Sequence, residues 1–143
     1  MLPISDCHNN NPGTIFGKQY LATANRLLTP DDLENISYTV YEQEDPEVNN
    51  GTPVPGFVDI PVDMTRAVFQ ELQKTDVYTL YGPRSVEYNT RVVVAPYDVV
   101  ESGTATTVVP FPNRGMFYRV EIKFTLKDKS KAPFFQVEII RSV

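Results

Sequence analysis

Cysteine and histidine are the two side chains best suited to nucleophilic catalysis, and this chain has one of each, adjacent at Cys7 and His8. Adjacent residues of an extended segment point to opposite sides, so the thiol and the imidazole would not reach each other. The sequence has no second histidine to act as the base. A closed zinc site needs about four Cys or His ligands. We therefore predict no catalytic residue and no metal site here.

The stretch GTIFGKQ, residues 13–19, is similar to a phosphate-binding loop. Such a loop has four residues between its glycines and Ser or Thr directly after the lysine. Here three residues separate Gly13 from Gly17, and Gln19 follows Lys18. The loop would be too short to surround a phosphate, and the hydroxyl that binds magnesium is missing. We predict that the protein uses no cofactor.

Carboxylates are grouped after the second clear apolar segment, where a loop contains Glu42, Glu44, Asp45 and Glu47. Oxygen ligands of this kind can bind calcium. The spacing matches no calcium loop, and Pro46 interrupts it. A solvated loop is the preferred interpretation, and calcium binding stays open as the alternative.

The overall composition limits the class of protein. A chain of 143 residues with 41% hydrophobic and 22% charged residues can form one domain with its own core. A formal charge of −5 opposes the phosphate neutralisation that nucleic-acid binding requires. The apolar runs are too short for a membrane span, the N-terminus does not resemble a signal peptide, and a single cysteine cannot form an internal disulfide. We expect a protein made in a cytoplasm, with neither nucleic acid nor membrane as a partner.

Alternation with a period of two residues is the strongest structural signal. In residues 115–126 the apolar side chains face one way and Arg119, Glu121, Lys123 and Thr125 face the other; the apolar set is Met116, Tyr118, Val120, Ile122, Phe124 and Leu126. Residues 35–43 and 132–143 show similar patterns. Strands with one apolar face favour antiparallel sheets that each bury one side.

Other segments complete the predicted fold. Residues 1–17 lack periodicity and are predicted to be an extended N-terminal arm, followed by one β-sandwich domain over 18–143. Within that domain we predict strands at 18–28, 57–62 and 87–95, a short strand just after 76, and a helical or plain turn at Thr29-Pro30. Residues 104–111 are predicted to be another strand or an extended connection. Residues 63–74 have an N-cap at Asp63 and apolar residues at helical spacing, which predicts one short crossover helix.

Tyrosine and arginine recur around the turns of residues 76–98. Both are enriched in the cores of protein interfaces, because they provide contact area and hydrogen bonds together. Tyrosines can equally cover a core with their hydroxyls in water. We predict an interface made of Tyr78, Tyr81, Arg84, Tyr88, Arg91 and Tyr97.

Two resemblances supplement these patterns. Residues 113–140, NRGMFYRVEIKFTLKDKSKAPFFQVEII, resemble the last hairpin of an immunoglobulin-like domain, which implies that Tyr118 is a corner tyrosine whose hydroxyl bonds to backbone. Residues 28–43, LTPDDLENISYTVYEQ, with the loop, short strand and helix predicted after them, resemble small proteins encoded among bacteriophage structural genes. The predicted fold is therefore all-β, an immunoglobulin-like antiparallel β-sandwich of about six to eight strands with one short crossover helix.

These resemblances imply a non-enzymatic structural protein of a bacteriophage virion, located at the head–tail junction, in the tail or on the capsid surface. Its partners would be other virion proteins and copies of itself. The alternative is a carbohydrate- or peptide-binding β-sandwich module of a cellular protein. A third hypothesis is a hydrolase with paired carboxylates, although the absence of tryptophan disfavours a carbohydrate cleft.

Overall fold

The computed structural model describes residues 4–7, 13–22, 24–79 and 81–143, and the side chains of all of these except residues 4–7, 78 and 79. Strands form most of this part of the chain. In chain order they are β1 Ile4–Cys7, β2 Gly13–Gly17, β3 Tyr20–Leu21, β4 Arg26–Leu27, β5 Leu33–Gln43, β6 Thr52–Pro53, β7 Ile60–Pro61, β8 Val68–Thr79, β9 Gly82–Val94, β10 Tyr97–Glu101, β11 Thr104–Val108, β12 Phe117–Leu126 and β13 Phe134–Ser142. The helices are α1, Met64–Ala67, and a 3₁₀ turn, Pro30–Asp32.

The larger sheet has the order β1-β13-β12-β5-β6, and β7 also pairs with β5. β12 lies in the middle, where Val120 faces Val40 on one side and Glu138 on the other. Its apolar face is fully buried, with Tyr118, Val120 and Ile122 all at 0% exposure. The alternation predicted for residues 115–126 is confirmed.

The second main sheet has the order β2-β9-β8. Ile15, Val92 and Val94 of this sheet belong to the same buried cluster as Ile36 and Val40 of the larger one. The two sheets therefore share one core. The prediction of an all-β, sandwich-like fold is confirmed. Two small hairpins, β3–β4 and β10–β11, complete the described strands.

The predicted crossover helix over 63–74 is mostly wrong. Asp63 does cap a helix, since its side chain accepts a hydrogen bond from the backbone of Thr65 at 3.0 Å. That helix ends at Ala67, and β8 begins at Val68. Val68 pairs with Thr90 and Gln73 with Tyr88 of β9, with an irregular stretch between them. Long-range strand pairing of this kind readily overrides a local helix pattern. Leu72, a member of the predicted apolar helix face, is 37% exposed in β8.

Several other predictions also need correction. Residues 18–28 form the short hairpin β3–β4 rather than one strand, the strand predicted over 57–62 is reduced to β7, and β10 lies where no strand was predicted. The described chain has more strand segments than the six to eight expected, in four sheets. β1 pairs in parallel with β13, whereas the other pairings of the described strands are antiparallel.

Part of the predicted N-terminal arm lies within these sheets. β1 pairs with β13, and β2 pairs with residues 90–94 of β9. β2 also contributes Ile15, which is 5% exposed, to the core. Residues 1–3 and 8–12 of the predicted arm lie outside the described residues.

Arg119 is buried although it lies on the polar face of β12, opposite the apolar residues. Its side chain is 7% exposed and lies over the ring of Tyr41, with 4.5 Å from the guanidinium carbon to the ring centroid. It donates hydrogen bonds to Gln43 at 2.9 Å and to Glu121 at 2.7 Å. A guanidinium can be buried in this way because Nε and Nη1 both donate hydrogen bonds and an aromatic ring covers its flat face.

Side-chain hydrogen bonds connect β9 to residues 19–28, which precede β5. The amide of Asn89, which has 0% exposure, accepts a hydrogen bond from the backbone N–H of Gln19 at 2.7 Å and donates to the carbonyls of Gln19 and Leu28. Beside it, Gln136 donates to the carbonyl of Phe16 at 3.0 Å. Gly17 leaves room for this contact, since a Cβ there would lie within 3.0 Å of the Gln136 side chain.

The turn at Pro30 follows the prediction of a helical turn with proline first. Asp32, at its end, accepts hydrogen bonds from both terminal nitrogens of Arg26 at 2.7 Å and from the backbone of Thr29 at 2.9 Å. The hydrogen bonds from Arg26 lower the pKa of Asp32 to about 2. The ion pair links the β3–β4 hairpin to the beginning of β5.

This lowered pKa predicts a contribution to stability that depends on pH. Because the folded-state pKa lies below the unfolded value of about 3.9, the contribution is complete above that value and is lost as the pH falls towards 2. Arg26 is half-exposed, so we expect only about 1 kcal/mol. Urea titrations at pH 6 and pH 2 should show that Asp32→Asn loses less stability on acidification than the wild type. Asp31→Asn, in the neighbouring exposed residue, is the matched control and should behave like the wild type.

Candidate functional site

The tyrosines and arginines predicted to form one interface lie in three different places. Tyr81 and Arg84 are at the tip of the β8–β9 hairpin, Tyr88 is in the core, and Arg91 and Tyr97 line a groove. The side chain of Tyr78 lies outside the described residues. Sequence proximity therefore does not place these side chains on one continuous surface.

The distal part of the β8–β9 hairpin forms a two-stranded ribbon. In the part of the chain that the structure describes, β2 pairs with β9 from Thr90 to Val94, whereas the pairs from Gln73–Tyr88 to Thr79–Gly82 join β8 and β9 without a third strand. At the tip, Tyr81 is 96% exposed and Arg84 is also exposed. An isolated two-stranded hairpin is only marginally stable in water, so this ribbon is suited to contact with another molecule.

A second exposed ribbon is formed by β10 and β11. Its two-residue loop, Ser102-Gly103, has positive φ angles of 51° and 79°, as hairpin turns of this length require. Val100 is 69% exposed, and the first four residues of β11 are exposed as well. The Ser-Gly pair ahead of TATTV was the sequence signal that could have predicted this hairpin.

Tyr88 lies at the root of the longer ribbon and is 7% exposed. Its ring centroid is 4.7 Å from that of Phe16 and 5.6 Å from that of Phe69. The guanidinium of Arg91 lies over the ring of Phe69, 5.5 Å from its centroid. Tyr88 is therefore a packing residue that anchors the ribbon, and it offers little surface for an interface.

An open groove of about 990 Å³ lies along the outer face of β2 and β9. Phe16, Arg91 and Val93 form its floor, and the segments 60–67 and 95–97 contribute its walls. Val93 is 49% exposed, although it is a large apolar residue in the middle of a strand. A groove of this size lies at the upper end of the range for ligand sites.

Tyr97 fixes one wall of the groove. Its hydroxyl donates a hydrogen bond to the carbonyl of Gly56 at 2.6 Å, and its ring meets Phe57 edge-on at 5.4 Å. Nearby in the groove, Tyr38 is 5% exposed. Burial, with a smaller contribution from Tyr97, raises the pKa of Tyr38 to about 12, so its hydroxyl remains protonated at neutral pH.

The groove has more positive than negative charge. Arg66 and Arg91 line it together with one carboxylate, Asp63. Arg66 is 86% exposed and lies 3.8 Å from Asp63, so this ion pair leaves most of its guanidinium accessible. Arg66 lies in α1 and Arg91 in β9, and both line the groove. Because the chain passes through the whole β8–β9 hairpin between them, no sequence pattern indicated that they would share this site.

The phosphate-loop-like segment and the Cys-His pair do not form a site in the described part of the chain. Residues 13–17 form the regular strand β2 rather than a phosphate-binding loop. His8 and the side chain of Cys7 lie outside the described residues. Within the described part of the chain, no group of three or more His, Cys, Asp or Glu side chains could bind a metal ion. None of the described helices is long and apolar enough to cross a membrane.

Comparisons of this chain with protein-family models, with characterised proteins and with solved structures gave no match.

Proposed function

We propose that this chain is a non-enzymatic structural protein of a bacteriophage virion and that it acts through protein–protein contacts. Its position would be the head–tail junction, the tail or the capsid surface, and its partners would be other virion proteins and further copies of itself. The viral setting depends on the resemblance of residues 28–43 and the elements after them to small phage-encoded proteins.

One observation carries the assembly role, namely the projecting part of the β8–β9 hairpin. Seven residue positions of this ribbon, from Gln73 to Thr79, pair with β9 and with no other strand of the described residues, and the tip presents Tyr81 and Arg84. Both residue types are common at the energetic centres of interfaces. A partner that packs against the ribbon or extends its outer edge would satisfy backbone groups that water otherwise solvates.

The proposal includes an immunoglobulin-like topology. The backbone N–H of Asn113 donates to the hydroxyl of Tyr118 at 2.8 Å, which is the kind of bond that the resemblance implies for a corner tyrosine. The β12–β13 hairpin pairs in register from Phe117–Arg141 to Phe124–Phe134. These features support the comparison for the C-terminal third of the chain.

Shortening the ribbon tests the assembly role. The chain would be co-expressed with the products of its neighbouring genes, and complexes would be purified through a tag. Replacing residues 77–84 by Asn-Gly joins the facing pair Asp76–Ser85 through a turn suited to hairpins. We expect this variant to fold but to lose the complex that the wild type forms.

The β10–β11 hairpin supplies a variant with the same number of residues removed. Replacing residues 99–106 by Asn-Gly joins the facing pair Asp98–Thr107 and leaves the longer ribbon intact. We expect the complex to survive this change. A complex that survives both replacements, or neighbouring genes that encode no capsid, portal or tail protein, would contradict the proposal.

The open groove favours the second candidate function, a carbohydrate- or peptide-binding module. Phe16 and Tyr97 provide ring surfaces, and two guanidinium groups can donate hydrogen bonds to hydroxyls or carboxylates. This function requires saturable binding of an oligosaccharide or peptide by the isolated monomer, which titration calorimetry would detect.

A further inference from the structure

The acidic loop between β5 and β6 carries charge opposite to that of the groove. Residues 27–65 contain no lysine or arginine and nine of the chain's eighteen acidic residues. Within this stretch, Glu44 and Glu47 are both exposed, and neither forms an ion pair within the described residues. Val48, beside them, is 39% exposed. The loop thus presents two carboxylates next to an apolar side chain.

The shape of this loop is fixed by its own hydrogen bonds. The carboxylate of Asp45 accepts a hydrogen bond from the backbone N–H of Glu47 at 2.9 Å. The backbone carbonyl of Asp45 accepts one from the side-chain amide of Gln43 at 3.0 Å. After the loop, β6 returns and pairs with Tyr41 and Glu42. A turn held in one shape loses little conformational freedom when it binds, which favours affinity.

The same loop cannot reach the groove of its own molecule. The groove meets β5 at Tyr38, whereas the loop leaves β5 after Gln43. Five residues of a strand separate these points by roughly 17 Å, and the pairing with β6 holds the loop against its own end of the sheet. The complementary loop must therefore come from another molecule.

We infer that residues 44–48 of one copy bind in the groove of a second copy, with Glu44 and Glu47 facing Arg66 and Arg91. Val48 would pack on the exposed Val93 of the groove floor. Because the loop and the groove are different surfaces, the contact is head-to-tail, and its repetition closes into a ring or continues as a filament. This inference deepens the proposed assembly role and depends on it, since it names one self-contact of the virion protein.

The purified full chain provides the test. Sedimentation velocity over a roughly hundredfold range of concentration should show association of the wild type that weakens as salt is raised. The groove variant Arg66→Glu/Arg91→Glu and the loop variant Glu44→Lys/Glu47→Lys should each weaken association by about 100-fold, because like charges would then face each other. Glu42 and Asp45 are left unchanged because both hold local structure.

The decisive measurement is an equimolar mixture of the two variants. Each reversed surface then meets a partner of opposite charge, so association should return to near the wild-type level. Recovery in the mixture also shows that neither variant has failed to fold. The matched control, Lys18→Glu/Arg114→Glu, makes the same charge change at exposed residues outside the groove and should leave association unchanged.

Three results with the purified chain would overturn the inference. They are a wild type that remains monomeric at every concentration, a groove or loop variant that associates like the wild type, and a mixture that stays monomeric. Binding of a neighbouring gene product through the groove, without self-association, would also overturn it and would assign the groove to another protein. The co-expression experiment scores binding to other gene products, so the proposed function can succeed or fail separately from this self-contact.

Discussion

Replacing Tyr118 by alanine should lower the free energy of unfolding by about 4 kcal/mol, since removing a fully buried aromatic side chain leaves a cavity. The side chain of Tyr118 has 0% exposure, and its ring centroid lies 5.4 Å from that of Phe111. Its hydroxyl accepts from the backbone of Asn113 and donates to the carboxylate of Glu42 at 2.7 Å. The residue therefore joins β12, the end of β5 and the loop before β12.

Tyr118→Phe distinguishes the contribution of the hydroxyl to stability from that of the ring. We expect it to cost about 1.5 kcal/mol, because the ring remains packed while Glu42 and the N–H of Asn113 each lose a partner. Urea denaturation at pH 7 measures both variants. A phenylalanine variant as stable as the wild type would show that the hydroxyl bonds contribute nothing.

The stability of the wild type and of Tyr118→Phe at alkaline pH provides a second, independent measurement. Burial, reinforced by the hydrogen bond to Glu42, raises the pKa of Tyr118 above its ordinary value of 10. A group whose folded-state pKa is raised contributes stability below its unfolded pKa and loses it as the pH rises through the folded value. The wild type should therefore lose stability above about pH 10, and Tyr118→Phe should lose less over the same range. Equal losses would contradict this origin.

Replacing Asn89 by leucine should cost about 3 kcal/mol, because the backbone N–H of Gln19 and the carbonyl of Leu28 lose their partner in a buried setting. The carbonyl of Gln19 keeps only its bond from the N–H of Leu28. The side chain of Asn89 joins β9 to the backbone of residues 19–28 through three hydrogen bonds, which are 2.7 to 2.9 Å long. Leucine has a similar volume, so the loss would come from unmet hydrogen bonds rather than from a cavity. Asn35→Leu, at an exposed position, is the matched control and should change stability by less than about 0.5 kcal/mol.

Asn89→Asp distinguishes hydrogen-bond loss from a packing effect. At neutral pH this variant would place a carboxylate beside the carbonyls of Gln19 and Leu28, which raises the pKa of the new acid. Its stability should increase as the pH falls below that raised value, where the proton restores one donor. Asn89→Leu should show no such recovery. A leucine variant that unfolds at the wild-type urea concentration would contradict the role assigned to this amide.

The sequence predicted those parts of the fold where the pattern alone determines which face is buried. In β12, a one-residue shift in register would expose Val120 and Ile122 together, so alternation fixes both the element and its orientation. The capping side chain of Asp63 and the proline-led turn before Asp32 were also predictable, because both depend on residues close along the chain. The end of α1 was not, since it depends on pairing between β8 and β9.

The candidate site shows the same division. Sequence reasoning proposed Tyr81, Arg84, Arg91 and Tyr97 as interface residues from their residue types, but it could not separate these accessible or groove-lining residues from the buried Tyr88. It missed Arg66, Val93 and the whole of the groove. Which side chains become neighbours there depends on the path of β9 after the bulge in its pairing with β8, and no local pattern encodes that path.

Residue order by itself thus determined that this protein is all-β, because alternating apolar side chains gain most when one face of a strand is buried. Only the tertiary structure decided that Arg119 is buried, that β8 is a strand, and that two guanidinium groups share an open groove. These outcomes depend on contacts between residues far apart in the chain, whose free energies exceed the small local preferences that a sequence pattern reports.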